Sequence, residues 1–247
     1  MENIARDLAP ILIPMNHKPT NQEFKQIFDG IAERYNKVSN EYLVQKRKYI
    51  LGNWAKGRCL EVGAGTGEIS KFLRQKGHEV VATDIAPGMV QEIKKHGIEA
   101  YECDAEKLPF PDQSFDTVVA AEILFYLDNP DSFLSEAQRI LRPNGQLLLS
   151  CASNFPVKFY DRVRSYLRAF GISGMYFKED TLREFMTASK LRAMLARNGF
   201  DVLEEKKTPI FPIGMLDPLN TILEKTPLRH FGIFIFVSAC KNTRAPF

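Results

Sequence analysis

Apolar and polar positions follow two rhythms along the chain. Between residues 21 and 54, Phe24, Ile27, Phe28, Ile31, Tyr35, Val38 and Tyr42 recur every three or four positions, which predicts amphipathic helix. Gly30 and the stretch from Asn36 to Asn40 are expected to break it into two or three pieces. From residue 57 short apolar runs alternate with helical patterns. RCLEVGA, EVVATD, IEAYECD, SFDTVVAAEIL and QLLLSCA read as strands. EISKFLRQKG, APGMVQEIKKHG and NPDSFLSEAQRILRPNG read as helices, with Pro87 suited to a first turn and Gly77, Gly97 and Pro143-Asn144-Gly145 as stops. Strand and helix alternating through short links predict parallel βαβ units with right-handed crossovers.

The last third is less regular. PVKFYDRVRSYLRAFG and TASKLRAMLARNG read as helices, and FDVLEEKK and FGIFIFVSAC as strands, separated by a proline-studded stretch over 208–230. Two late strands of this kind are expected to pair, with the last antiparallel to its neighbours. The whole predicts an α/β fold: one seven-stranded, mostly parallel sheet with helices on both faces. A helical lead or cap over residues 1–50 precedes the main domain, 51–247, and a lid insertion at about 152–187 precedes the sixth strand.

Composition narrows the classes. The 247 residues are 45% apolar and 26% charged, a globular balance. No apolar run approaches the ~20 residues of a membrane-spanning helix, and the first 15 residues, with Glu2 and Asp7, do not form a convincing secretory signal. The net charge of +3 is unevenly divided: +2 over residues 1–50, −5 over 51–151 and +6 over 152–247. An acidic middle argues against a nucleic-acid partner. The basic tail reads as a solvated helix face, with peripheral contact to an anionic membrane surface left open. Cys59, Cys103, Cys151 and Cys240 lie in or beside apolar strand-like runs and form no CxxC pair, so a cytoplasmic setting without disulfides or metal is expected.

The chemistry concentrates at Glu61-Val62-Gly63-Ala64-Gly65-Thr66-Gly67, between the first strand and a helix. Glycines there allow a tight turn and close approach of a ligand beyond the carboxyl end of the sheet. The dinucleotide fingerprint asks for a third glycine five positions after Gly63, where Glu68 stands, and no lysine follows in the triphosphate-loop pattern. The turn suits an adenosine-containing ligand without a phosphate bridge. Asp84 ends the second strand 21 positions after Gly63, near the spacing expected of an acid that holds a ribose diol. Asp104 ends the third strand and could accept from the adenine amine; Glu61 could orient a cationic amino group. Each acid also has a plainer reading as a helix cap.

GRCLEVGAGTGEISKFLRQKGHEVVATDIAPGMV and ECDAEKLPFPDQSFDTVVAAEILFYLDNPDSFLSEAQRILRPNGQLLLS resemble the class I S-adenosylmethionine-dependent methyltransferases. They are most similar to the ubiquinone and menaquinone biosynthesis branch. The resemblance covers roughly residues 57–151, and FDGIAERYNKVS resembles the helical lead of that branch. It implies a Rossmann-like sheet and S-adenosyl-L-methionine as cofactor. Gly63 and Gly65 would line its methionine portion, with Glu61 near the amino group. Asp84 would hold the ribose, Ile85 and Met89 would flank the adenine, and Asp104 with Ala105 would read the adenine edge. Glu122 would stand at the position whose backbone faces the methionine group, and Tyr35 would close over the cofactor. Many relatives carry a histidine after the fourth strand; here Ile123-Leu124-Phe125-Tyr126-Leu127 stands in its place, which removes an obvious base.

Methyl transfer from a sulfonium is an in-line displacement that needs mainly proximity and alignment, and no catalytic residue is assigned. Tyr126 is the polar group best suited to positioning an acceptor. Fourteen of the 27 aromatic residues fall within 152–247, which places acceptor choice in that region and in the lead. Phe155 and Tyr160, in the expected lid helix, are further candidates for a small, apolar acceptor such as a quinone precursor, polyketide or lipid. A catalytically silent cofactor-binding module and a nicotinamide-dependent reductase are the alternatives; the oligomeric state is not legible.

Overall fold

A computed structural model of the protein describes residues 20–153, 186–211 and 214–242. The expected lid helix, with Phe155 and Tyr160, lies outside the described residues.

The lead forms three helical pieces, α1 (Asn21–Ile31), α2 (Tyr35–Val38) and α3 (Glu41–Trp54), with a 3-10 turn at Ala32–Arg34 before α2. Thr20 opens α1 with a reciprocal capping box to Glu23, and the Asn40 side chain caps α3. The break falls after Ile31, so Gly30 lies inside α1. The main unit continues as β1 (Cys59–Val62), α4 (Glu68–Gln75), β2 (Val80–Asp84), α5 (Pro87–Lys95), β3 (Glu99–Glu102), β4 (Phe115–Ala121), α6 (Pro130–Ile140) and β5 (Leu141–Ala152). It ends with α7 (Ala188–Arg197), β6 (Phe200–Thr208), α8 (Asp217–Leu223) and β7 (Phe234–Lys241).

The seven strands form one sheet in the order β3-β2-β1-β4-β5-β7-β6. The first five strands pair in parallel, while β7 runs antiparallel to both β5 and β6. This is the expected Rossmann-like, mostly parallel sheet. Leu147, Leu148 and Leu149 are successive residues of β5, and Ile235 and Phe236 of β7; all are fully buried. Successive strand residues point to opposite faces, so the middle of the sheet is covered on both sides. One boundary differs from the reading of the sequence. Pro143-Asn144-Gly145 does not stop α6; the strand begins at Leu141, and pairing jumps from Phe115–Leu141 to Thr117–Gln146. The Pro-Asn-Gly turn is absorbed as a bulge within β5.

The lead is tied to both ends of the chain's main unit. Lys48 on α3 pairs with Glu68 on α4 at 3.2 Å. The Tyr42 hydroxyl donates to Asp217 at 2.7 Å and accepts from the buried Asn220 amide at 3.0 Å. Among the described residues no helix is long and apolar enough to cross a membrane.

Candidate active site

β1, β2, β3 and β4 all end on the same side of the sheet, and the switch in strand order between β1 and β4 opens a crevice there. The chain leaves β1 through a turn in which Gly63, Gly65 and Gly67 have φ of 65°, 55° and 80°. Only glycine adopts such values at little cost. The Gly65 amide donates to Asp84 Oδ2 at 2.8 Å, and the Ala86 amide donates to Asp84 Oδ1 at 3.0 Å. Asp84 therefore locks the glycine turn to the end of β2. Two carboxylate oxygens offer about four acceptor sites, so capacity remains for a ligand. Burial is the largest influence on Asp84 and pushes its pKa up to about 6, against the pull of these amides.

Asp104, just beyond β3, accepts from the Glu106 amide at 2.9 Å and from the Asn21 side chain at 3.4 Å. The second contact brings the start of α1 over the crevice. Lys25 on α1 also pairs with Glu102, and Asp29 accepts from the Gly88 amide at 2.6 Å. α1 thus lies across the ends of β3 and α5 and roofs the crevice. Its rings meet those of the β4–α6 connection: Tyr126 stands edge-on to Phe24 at 5.0 Å and to Phe28 at 5.4 Å, between centroids.

Glu122 follows β4 with φ of 62°, a left-handed conformation rare outside glycine. Its amide donates to the Ser150 carbonyl at 2.9 Å, and Ser150 Oγ donates to its carboxylate at 2.7 Å. Burial raises its pKa, with the Arg47 charge and the Ser150 bond pulling the other way.

One cavity gathers most of the residues singled out from sequence. Tyr35, Gly63, Gly65, Asp84, Ile85, Met89, Asp104, Ala105 and Glu122 all line it, as does Tyr126. Glu61 does not. It is buried behind the glycine turn, where its Oε2 accepts from both the amide and the hydroxyl of Ser70, the amide at 2.7 Å. Burial pushes its pKa up to about 7. Its visible work is to hold the first turn of α4 against β1.

Sequence reasoning missed Asn21, Phe24, Phe28, Arg47 and Cys103, which also line the cavity. The three-four periodicity had marked Phe24 and Phe28 as an apolar face. It could not say that the face covers a crevice instead of core. Arg47 carried no signal, being one of three consecutive basic residues on a helix.

Comparison with known proteins agrees with this architecture. A family model described as a methyltransferase domain matches residues 60–149. The demethylmenaquinone methyltransferase of Thermus thermophilus is 31% identical over 173 residues, covering 61% of this chain and 77% of that protein. The ubiquinone/menaquinone biosynthesis C-methyltransferase of Desulfotalea psychrophila is 29% identical over 218 residues, covering 77% and 87%. Among solved structures, a SAM-dependent methyltransferase from Methanosarcina mazei has a TM-score of 0.58 at 21% identity, covering 79% of this chain and 98% of that one. The [4+2]-cyclase SpnF has 0.62 at 19%, covering 92% and 98%. The fold alone therefore leaves the reaction open; the sequence relatives close that gap. The chain belongs to the class I S-adenosylmethionine-dependent methyltransferases, in the branch of the ubiquinone and menaquinone biosynthesis enzymes.

Proposed function

We propose that the cavity holds S-adenosyl-L-methionine and delivers its methyl group to a small, largely apolar acceptor. The carrying observation is convergence: the glycine turn, Asp84, Asp104 and Glu122 come from four strand ends and face one cavity roofed by aromatic rings. This donor set fits the cofactor. Among the described residues, three carboxylates and a single basic side chain line the space, a poor match for a pyrophosphate and a good one for an adenosine bearing a sulfonium.

In this reading Asp84 holds the ribose hydroxyls with its remaining lone pairs. Ile85 and Met89 flank the adenine, and Asp104 with Ala105 reads its edge. Gly63 and Gly65 let the backbone approach the methionine portion, Glu122 faces its polar end, and Tyr35 closes over it. When bound, the cofactor supplies an electrophilic methyl group on sulfur. The residues then serve alignment, worth more here than acid–base help. Phe24, Phe28, Tyr126 and Leu127 exclude water and leave an apolar approach for the acceptor. The relatives named as ubiquinone/menaquinone biosynthesis and demethylmenaquinone methyltransferases favour an apolar, ring-bearing acceptor. Tyr126 is assigned to its positioning.

Calorimetric titration tests the reading. S-adenosylmethionine is expected to bind saturably and NADH is not, and Asp84→Ala is expected to weaken binding by roughly 10- to 100-fold. Binding of NADH alone, or an unaffected Asp84→Ala protein, would reject it. Turnover of small polar amines without turnover of apolar acceptors would reject the acceptor class while leaving the cofactor in place.

A further inference from the structure

The segment between β6 and β7 turns apolar residues outward. Met215, Leu219 and Ile222 follow one another at steps of four and three. They therefore share one stripe of the short helical run made by a 3-10 turn at Gly214–Leu216 and α8. Met215 is 85% exposed and Ile222 63%, and Leu219 is exposed with them. The opposite stripe is Leu216, Asn220 and Leu223, and its most buried member is an amide. Asn220 donates to the Tyr42 hydroxyl at 3.0 Å and to the Phe211 carbonyl at 2.9 Å, and accepts from the Phe211 amide at 2.8 Å. A surface helix ordinarily spends its apolar side chains on the core; this one leaves three of them outside. Leu228 and Phe231 repeat the pattern on the 3-10 turn at Pro227–Phe231, where residues three apart eclipse; both are exposed. Scattered apolar side chains at a surface need no explanation. Here five of the eight large exposed ones among the described residues fall within residues 215–231.

The charges of the same segment sort by partner. Its two acids are engaged: Asp217 with Lys46 and the Tyr42 hydroxyl, Glu224 with the Thr208 hydroxyl. Lys225, Arg229 and His230 are exposed, and among the described residues none of them has an ion-pair partner. Lys206 on β6 is exposed too, and close enough to help hold Asp217 ionised. Outward apolar groups beside unpaired basic ones match the headgroup layer of an anionic bilayer. There the apolar groups enter the acyl boundary while the basic ones stay with the phosphates. A purely apolar partner surface would cover the stripe and leave the charges unmatched.

We propose that residues 215–231 form a docking face for an anionic membrane surface, with Met215, Ile222, Leu228 and Phe231 entering the headgroup boundary and Lys225 and Arg229 meeting lipid phosphates. The face is fixed to the site through α3. Tyr42 on that helix holds Asp217 and Asn220, and Arg47, five residues on, lines the cavity. An apolar acceptor of the class proposed above partitions into lipid, so this face sets the cavity beside its supply. Docking itself rests on the patch and not on the cofactor reading.

Co-sedimentation of the full chain with sucrose-loaded vesicles, without cofactor, tests the proposal. Vesicles of equal parts phosphatidylcholine and phosphatidylglycerol are expected to carry the protein down. Phosphatidylcholine alone should do so at least about tenfold less well, since each basic residue near an anionic surface contributes roughly fivefold. Met215→Gln combined with Ile222→Gln should lower partitioning roughly tenfold or more. Lys225→Gln combined with Arg229→Gln should lower it roughly tenfold on the anionic vesicles and leave phosphatidylcholine unchanged. All four positions are exposed, so melting curves should match wild type. Absence of partitioning into anionic vesicles overturns the proposal. So does equal partitioning into both vesicle types, or partitioning that either double variant leaves untouched. Self-association in light scattering, abolished by the Met215 and Ile222 changes in a protein that ignores vesicles, would assign the face to a second copy and overturn it as well. S-adenosylmethionine titration of the same preparations keeps the two readings apart. The variants are expected to bind the cofactor as wild type does, and a wild type that binds vesicles but no cofactor would lose the cofactor reading and keep the docking face.

Discussion

Two acids on neighbouring strands show what single residues can and cannot reveal. Asp84 was legible because its spacing from the glycine turn is set by one strand–helix–strand unit. Glu61 was legible as an acid near that turn, but its direction was not: Leu60, Glu61 and Val62 are all buried, so no alternation marks which face the carboxylate takes. Its position has a pH consequence. Unfolded, Glu61 releases its proton near its ordinary 4.5; folded, near 7. Between those values the folded form holds the extra proton, so stability falls as pH rises through that window. The full cost, on the order of 3 kcal/mol, stands above it. Glu61→Gln keeps an acceptor for Ser70 and carries no charge. It is expected to melt above wild type at pH 8, the gap closing toward pH 5; a gap independent of pH would show that the charge is not the cause. The two cavity glycines separate stability from binding in a second test. A Cβ on Gly63 would sit 2.3 Å from Ile123 Cγ2, whereas one on Gly65 would meet only the Tyr35 ring, at 3.7 Å. Gly63→Ala is therefore expected to cost about 2 kcal/mol or more in urea unfolding. Gly65→Ala should cost about 1, and weaken S-adenosylmethionine binding about tenfold by placing a methyl group in the cavity.

At the scale of elements, the sequence marked helix starts better than ends. Thr20, Asn40, Asn129 and Thr187 all accept from the first turn of the helix they precede. The end of α6 was misread because Pro-Asn-Gly serves equally as a helix stop and as a strand bulge; partner strand β4 decides between them, and it is remote in sequence. The docking of α1 was illegible for the same reason. Its amphipathic face was evident, but the bonds from Asn21, Lys25 and Asp29 that set it over the crevice reach residues 59–83 positions away. These are few and mostly exposed contacts, so the hold on the roof comes chiefly from its rings. Phe28 packs near Phe24, Tyr35 and Tyr126, with centroids 5.4–6.3 Å apart. Phe28→Ala is expected to speed dissociation of S-adenosylhomocysteine in stopped-flow roughly five- to tenfold, while lowering overall stability by only about 1–2 kcal/mol. Unchanged dissociation would mean that α1 does not gate the cavity.

The molecule as a whole divides its stability unevenly. The β4, β5 and β7 strands carry the continuous run of fully buried side chains, from Val118 and Val119 through Leu147–Leu149 to Ile235–Val237. The cavity side joins the short strands β1, β2 and β3 to a roof in which the buried Ile31 and Ala32, clustered with Ala86 and Met89 below them, add to the ring contacts. The strand–helix alternation made the sheet legible, because each βαβ unit is local. The distribution of strength across it was not, because that depends on which strands end up central. Local opening draws on the weakly packed end of such a gradient. Ligand binding at the cavity should therefore act there. At 100 times its Kd, S-adenosylmethionine contributes about 2.7 kcal/mol to the stability of the folded state, an expected rise of roughly 5–11 °C in Tm for a chain of this size. Hydrogen exchange locates the gain. Amides of α1, of the turn at residues 63–67 and of the segment after β4 are expected to slow on binding. Those of β5 and β7 exchange by global opening and slow by the full factor of about 100. Slowing of α1 by the same factor, while its amides still exchange faster than those of β5 and β7, would indicate that the cavity empties by movement of α1 over an intact sheet. Unslowed α1 amides would indicate that the ligand stays bound while α1 opens.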